Sequence, residues 1–170
     1  MNEALLPGEK VLATRPANLT FSFDETKQPE LAAHSKARSI GGKVHVTTYR
    51  IYFASNRLNS TRGSLSIFHP SVVFDEPVIV GFAGQWVVKT ATTTCRFAVR
   101  DPKELSQLLR QTREKPLDAA AVKEHAKANL DKVGSGIAPF WKDAAKAIQS
   151  KDAGSLQVVA LMTARDFVTE

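Results

Sequence analysis

An alternation of period two runs through the first hundred residues and stops at Asp101. Leu19, Phe21 and Phe23 alternate with Thr20 and Ser22, the pattern of a half-buried strand, and residues 10–14 ahead of them form a shorter strand candidate. Val44 and Val46 alternate with Lys43, His45 and Thr47, and Ile51 and Phe53 alternate with Arg50, Tyr52 and Ala54. Only Thr48 and Tyr49 separate these two runs, which predicts a tight hairpin. Residues 65–68 form another short strand, stopped by Pro70. Residues 72–74 and 78–80 flank Asp75-Glu76-Pro77, read as a turn. Residues 85–90 and 94–100 make a last hairpin across Ala91-Thr92-Thr93. About seven short strands joined by close turns restrict this part of the chain to an antiparallel sandwich or barrel.

After Asp101 the period becomes helical. Asp101 is placed to cap a helix, Pro102 to open it and Glu104 to follow. Leu105, Leu108 and Leu109 then form an apolar stripe that needs a sheet or barrel mouth to cover it, and Pro116 ends the helix. The division expected is a β-domain over residues 1–116 and a helical extension over 117–170, an α+β fold as a whole. In the extension, Val122, Ala126, Leu130 and Val133 mark one helix, and Phe140, Trp141, Ala144, Ala145 and Ile148 a second. Leu156, Val159, Ala160, Thr163 and Phe167 suggest a third, although 158–162 is apolar enough for a strand. These faces are too small for a core of their own, so the extension is expected to pack on the β-domain or to bind a partner. Phe140 and Trp141 are the candidate partner-binding pair, with docking on the β-domain as the plainer use of so much aromatic surface.

Charge separates the two parts. The chain of 170 residues carries 23 Lys and Arg against 17 Asp and Glu. Residues 1–100 hold a net +5 and residues 101–170 a net +1. No acidic residue stands between Glu30 and Asp75, whereas Lys36, Arg38, Lys43, Arg50, Arg57 and Arg62 do. Such a stretch reads either as a set of solvated loops or as a surface for anionic partners, with lipid head groups foremost. One cysteine excludes a disulfide framework and any cysteine-based zinc site, and fits a reducing compartment. No apolar run reaches the length of a membrane span, and the N-terminus lacks the pattern of a secretion signal. A cytoplasmic protein, peripheral to a membrane at most, is the expectation.

Strands closed by one amphipathic helix resemble the pleckstrin-homology superfold. Within it, the run from Gly42 through Thr47 and Arg50 to Phe53 and Ser55 resembles the GRAM-domain signature, in which a Gly begins a strand ending in Thr and an Arg begins a second ending in an aromatic and Ser. Leu19-Thr20-Phe21 ahead of the hairpin and Glu76-Pro77-Val78 after it resemble the flanks of GRAM domains of the WW-domain-binding protein 2 type. The likeness covers roughly residues 5–115. In this reading Gly42 permits a backbone turn, Thr47 bonds the hairpin backbone and Phe53 fills the interior. These are fold residues and say little about a ligand. Relatives of that type carry Pro-Pro-x-Tyr tails, but this chain has no Pro-Pro, so recruitment by WW domains is not implied. GLUE domains, which bind phosphoinositides and ubiquitin, are a second and more distant resemblance.

No catalytic constellation stands out. Cys95 shares a strand face with Phe97 and Val99 and reads as core, as does Trp86. His45 alternates outward with the surface of its hairpin, His34 lies in the basic stretch, His69 closes a strand and His125 accompanies Glu124. No pair of histidines has metal-ligand spacing, and the glycines at 81, 84, 134 and 136 read as turns without phosphate-loop context. The expectation is a non-catalytic adaptor with no cofactor, binding anionic membrane lipid (phosphoinositide) through Lys36, Arg38, Lys43, Arg50, Arg57 and Arg62. The alternative is a scaffold that binds an unknown protein partner through the extension or a sheet edge. Nucleic acid is the weaker partner, because aromatics are not interleaved with the basic loops.

Overall fold

The computed structural model describes residues 5, 6, 8–24, 26, 39–59 and 63–113, together with residues 120, 124, 127, 163 and 166. The strands are β1 (Val11–Phe23), β2 (Ile40–Thr47), β3 (Arg50–Ser55), β4 (Ser64–Phe68), β5 (Phe74–Val80), β6 (Ala83–Lys89) and β7 (Thr93–Val99). A short 3-10 turn, His69–Ser71, follows β4, and one helix, α1 (Pro102–Arg113), follows β7. All seven strands belong to one antiparallel sheet in the order β4-β3-β2-β1-β7-β6-β5. β1 is central: residues 11–19 pair with β2 and residues 17–23 with β7. The sheet curls into a half-barrel around Leu19, Phe53, Phe97 and Trp86, all fully buried. Leu105 and Leu109 of α1 enter the same core, with Leu108 packed at its margin. The expected apolar stripe therefore covers what it was expected to cover.

Asp75 fastens that helix to the sheet. Its carboxylate accepts from the Trp86 indole N–H at 3.4 Å and from the Ser106 hydroxyl, and Arg110 stands 3.7 Å away. Asp75 is not in a turn, as its neighbours in sequence suggested, because Phe74–Val80 is one strand that runs straight through Pro77. β5 ends the sheet and has a neighbour on one side only, which is where a residue without an N–H is tolerated. A similar correction holds for β1. The two strand candidates at its ends are one strand of 13 residues, irregular between Val11 and Ala13. It passes through Pro16 just before pairing with β7 begins at Ala17.

The helix start also differs in its chemistry. Asp101 stands at the corner with φ 57°, and its carbonyl accepts the Glu104 N–H at 3.2 Å. The Glu104 carboxylate does not reach back to the cap but takes the Arg15 guanidinium on β1 at 2.6 Å. Gly42 lies inside β2 rather than at a turn. A Cβ there would stand 2.2 Å from the Ala54 carbonyl oxygen and 2.6 Å from the Phe53 ring. Cys95 and Trp86 are buried as expected. Of the extension, Ala120, Glu124, Lys127, Thr163 and Asp166 are helical. Thr163 is buried and donates its hydroxyl to the Ser66 carbonyl on β4 at 3.0 Å. Phe140 and Trp141 lie outside the described residues.

Candidate functional site

The curled sheet has two ends, and the strand directions assign each loop to one of them. The segments from Asp24 to Ser39 and from Asn56 to Gly63, with the β6–β7 turn, begin and end at one. The β2–β3 turn, the β5–β6 turn and the β7–α1 corner belong to the other.

Of the six basic residues singled out in the sequence, Arg50 is not on the surface. Arg50 begins β3 and is 5% exposed. Its guanidinium donates to Glu9 Oε1 at 2.9 Å, to Glu9 Oε2 at 3.2 Å and to Ser66 Oγ at 2.8 Å. It also lies over the Tyr52 ring, 5.2 Å from its centre. A cation so held is part of the interior and cannot be offered to an anionic membrane. The alternation that seemed to turn it outward fails because Glu9, far from it in sequence, covers that side of the hairpin. Thr47 joins the group. Its hydroxyl donates to Glu9 at 2.6 Å and accepts the Arg50 N–H at 2.9 Å and the Tyr49 N–H at 3.1 Å, so its bond to the hairpin backbone is as expected. Burial by itself raises the Glu9 carboxyl, but the bonds from Thr47, Arg50 and the Leu6 N–H outweigh it and hold Glu9 below its ordinary value.

His45 is corrected in the same way. It is buried, stacked on Tyr52 with ring centres 5.6 Å apart, and shares a hydrogen bond of 2.8 Å with the Thr14 hydroxyl. Burial, with the Lys43 ammonium nearby, keeps it below the usual histidine range. Lys43 on β2 and Arg57 after β3 are exposed. Lys36, Arg38 and Arg62 lie outside the described residues. Among the described residues, no three His, Cys, Asp or Glu side chains come together to hold a metal ion.

A different feature dominates the second end. Val80 pairs with Ala83, so Gly81 and Phe82 alone make the β5–β6 turn. Gly81 supplies the positive φ, 62°, that such a two-residue turn needs at its first position. Phe82 is left at the apex, fully exposed, beside Ile79 and Val80 at 63% and 62% exposure. At the apex lies a groove of about 830 Å³ lined by Ile79 and Phe82 together with Pro16, Val99 and Pro102. Arg100, Asp101, Lys103 and Glu104 also line it, and Glu104 pairs with Arg15. Lys43 is the register partner of Pro16, and antiparallel partners project to the same face of the sheet. Lys43, Arg100 and Lys103 are exposed and have no anionic partner among the described residues.

In the sequence, Gly81-Phe82-Ala83-Gly84 reads only as a turn. The signal available was a large aromatic at the second position of a two-residue turn, where a polar residue is usual.

A seven-stranded antiparallel half-barrel with one C-terminal helix in its core is the PH-like fold, of the α+β class. Comparison with solved structures finds the C-terminal domain of an unknown protein from Leishmania infantum at 15% identity and a TM-score of 0.44, covering 64% of this chain and 88% of that one. It also finds the Vps36 N-terminal PH domain at 11% identity and a TM-score of 0.45, covering 66% of this chain and 87% of that one. No family model and no curated protein matches.

Proposed function

We propose that this protein is a non-catalytic PH-like module that binds an anionic membrane surface, and that it does so with the end of the sheet formed by the β5–β6 turn and the β7–α1 corner. One observation carries the reading: an apex of exposed apolar side chains, Ile79, Val80 and Phe82, at a groove that Arg100 and Lys103 also line, two cations with no anionic partner among the described residues. Apolar side chains at a tip can enter the interface between head groups and acyl chains while cations around them meet anionic lipid. Each cation contributes about 1 kcal/mol near such a surface, and each apolar side chain at most about 1.5–3 kcal/mol. Their sum, less the loss of freedom on binding, suits reversible peripheral attachment. Of the basic residues expected at the site, Lys43 is kept and Arg50 is withdrawn. Arg57, with Lys36, Arg38 and Arg62 outside the described residues, is proposed to add attraction of lower specificity. The GRAM-type signature from Gly42 to Ser55 supports a place among GRAM or GLUE relatives, with residues 1–116 as the domain and 117–170 as its extension.

The test is co-sedimentation of the full chain with neutral phosphatidylcholine vesicles and with vesicles containing phosphatidylserine or phosphoinositide. Binding should require anionic lipid, weaken with salt, and be lost in Phe82→Asp, with partial loss in Arg100→Glu and Lys103→Glu. Unchanged binding by Phe82→Asp, or no binding by the parent at low salt, sinks the reading. The second reading, a protein scaffold, draws on β5, a sheet edge carrying exposed Phe74, Ile79 and Val80. It gains if the chain ignores vesicles of every composition but retains a protein partner that Ile79→Asp loses.

A further inference from the structure

The β6–β7 turn, at the far end of β6 from Phe82, holds an arrangement that membrane attachment at the apex does not use. One oxygen, Asp166 Oδ2, collects three donors: the Thr90 hydroxyl at 2.5 Å, the Thr92 hydroxyl at 2.6 Å and the Thr92 N–H at 3.2 Å. Asp166 is 3% exposed and Thr90 6%, and no Lys or Arg pairs with that carboxylate among the described residues. These donors stabilise the buried carboxylate.

The turn does not need Asp166 to keep its shape. The Thr90 N–H donates to the Thr93 carbonyl at 2.9 Å, the Thr93 N–H to the Thr90 hydroxyl oxygen at 3.2 Å, and the Asp24 N–H to the Thr92 carbonyl at 2.8 Å. These bonds hold the turn's backbone without the carboxylate, while the Thr90 and Thr92 hydroxyls also lie 3.4 Å from the Thr93 carbonyl and 3.3 Å from the Thr93 hydroxyl. A backbone N–H and two hydroxyls aimed at one point form a concavity for an oxyanion. Asp166 reaches it from 74 residues away in sequence. It does so from a helical position three residues beyond Thr163, which is itself held on β4.

We propose that the β6–β7 turn is an oxyanion-binding site whose resident occupant is the chain's own Asp166, and that a phosphate monoester competes with Asp166 for Thr90 and Thr92. The carboxylate is favoured by its tether, which gives it a high effective concentration at the turn. The phosphate is favoured by its greater charge and additional acceptor oxygens. The unmodified chain therefore binds phosphate weakly, and loss of the carboxylate uncovers the site.

The experiment is a titration of the isotope-labelled full chain with inorganic phosphate, following the Thr92 amide by NMR. In Asp166→Ala the amide should shift saturably at about tenfold lower phosphate than in the parent, as expected when a tethered competitor is removed. Adding Thr90→Val, which removes one donor, should abolish most of that gain. A folded Asp166→Ala chain whose Thr92 amide ignores phosphate, or responds no better than the parent, overturns the proposal. Should Asp166→Ala lose its fold, Asp166→Asn keeps the shape without the charge and faces the same two outcomes. If that variant also unfolds, recovery of amide dispersion on adding phosphate supports the site, and failure to recover overturns it. Phosphatidylcholine vesicles with and without phosphatidylinositol phosphate distinguish a lipid head group from a soluble phosphate as the source. Phe82→Asp, at the other end of β6, should leave the Thr92 response intact, so failure of the membrane reading and failure of this one are told apart.

Discussion

Glu9 and Arg50 meet 2.9 Å apart inside the protein, with side chains 0% and 6% exposed, and tie the segment ahead of β1 to the β2–β3 hairpin. Removing one partner leaves an uncompensated buried charge. Glu9→Gln or Arg50→Met should each lower stability by about 3–5 kcal/mol, measured by urea unfolding at pH 7. The double change to apolar residues should cost less than the sum of the two. Because Glu9 is held below the ordinary carboxylate range, its contribution is present above the unfolded pKa and fades as pH falls through the lower folded one. Arg50→Met should leave vesicle binding by the remaining folded fraction unchanged.

His69 predicts a second acid sensitivity. Its ring is fully buried between β4 and α1, 3.1 Å from the Thr112 hydroxyl, and Nε2 has no hydrogen-bond partner among the described residues. Burial, reinforced by Arg113, pushes it down to about 4. In the unfolded chain it titrates near its ordinary value of 6.5, so below that the unfolded state binds the extra proton. Stability should therefore fall as pH drops from 6.5 toward 4, by roughly 3 kcal/mol in all. Urea midpoints across this range should flatten in His69→Gln, after allowing for its lower stability at neutral pH. An unchanged slope would show that other groups carry the acid response.

Gly42 and Gly81 separate two uses of glycine. Gly42→Ala forces a Cβ against the Ala54 carbonyl and the Phe53 ring, and should cost about 3 kcal/mol as a core overpacking. Gly81→Ala meets nothing within 4 Å and bears only the strain of its φ of 62°, about 1 kcal/mol. Thermal melts of the two variants should rank in that order.

Cys95 should be inert. It is buried in the core, and burial raises its thiol to about 12. A thiol reagent at pH 8 should label the folded chain only as fast as it unfolds, and stoichiometrically in denaturant. Rapid labelling in native buffer would contradict this packing.

Much of the fold was legible because its signals are local. The β2–β3 hairpin follows from two alternating runs two residues apart, and α1 from three leucines at helical spacing. Cys95 and Trp86 read as core because one strand face decides their neighbours. The reading failed where a remote element changed a residue's surroundings. Pro77 looked like a turn because nothing local says that β5 is a sheet edge. His45 and Arg50 looked exposed because alternation says which face a side chain takes, not whether Thr14 or Glu9 later covers that face.

The candidate site shows the same division. Its parts come from β1, β2, the β5–β6 turn and the β7–α1 corner, and no spacing along the chain relates Lys43 to Phe82 or Lys103. The sequence by itself determined the strands, the closing helix and the excess of positive charge, since these depend on side-chain type and on neighbours a few residues away. Only the tertiary structure decided which charges are free. Whether a cation meets solvent or a buried carboxylate is settled by the segment that packs against it, and Arg50 and Lys43, seven residues apart on adjacent strands, were assigned opposite fates.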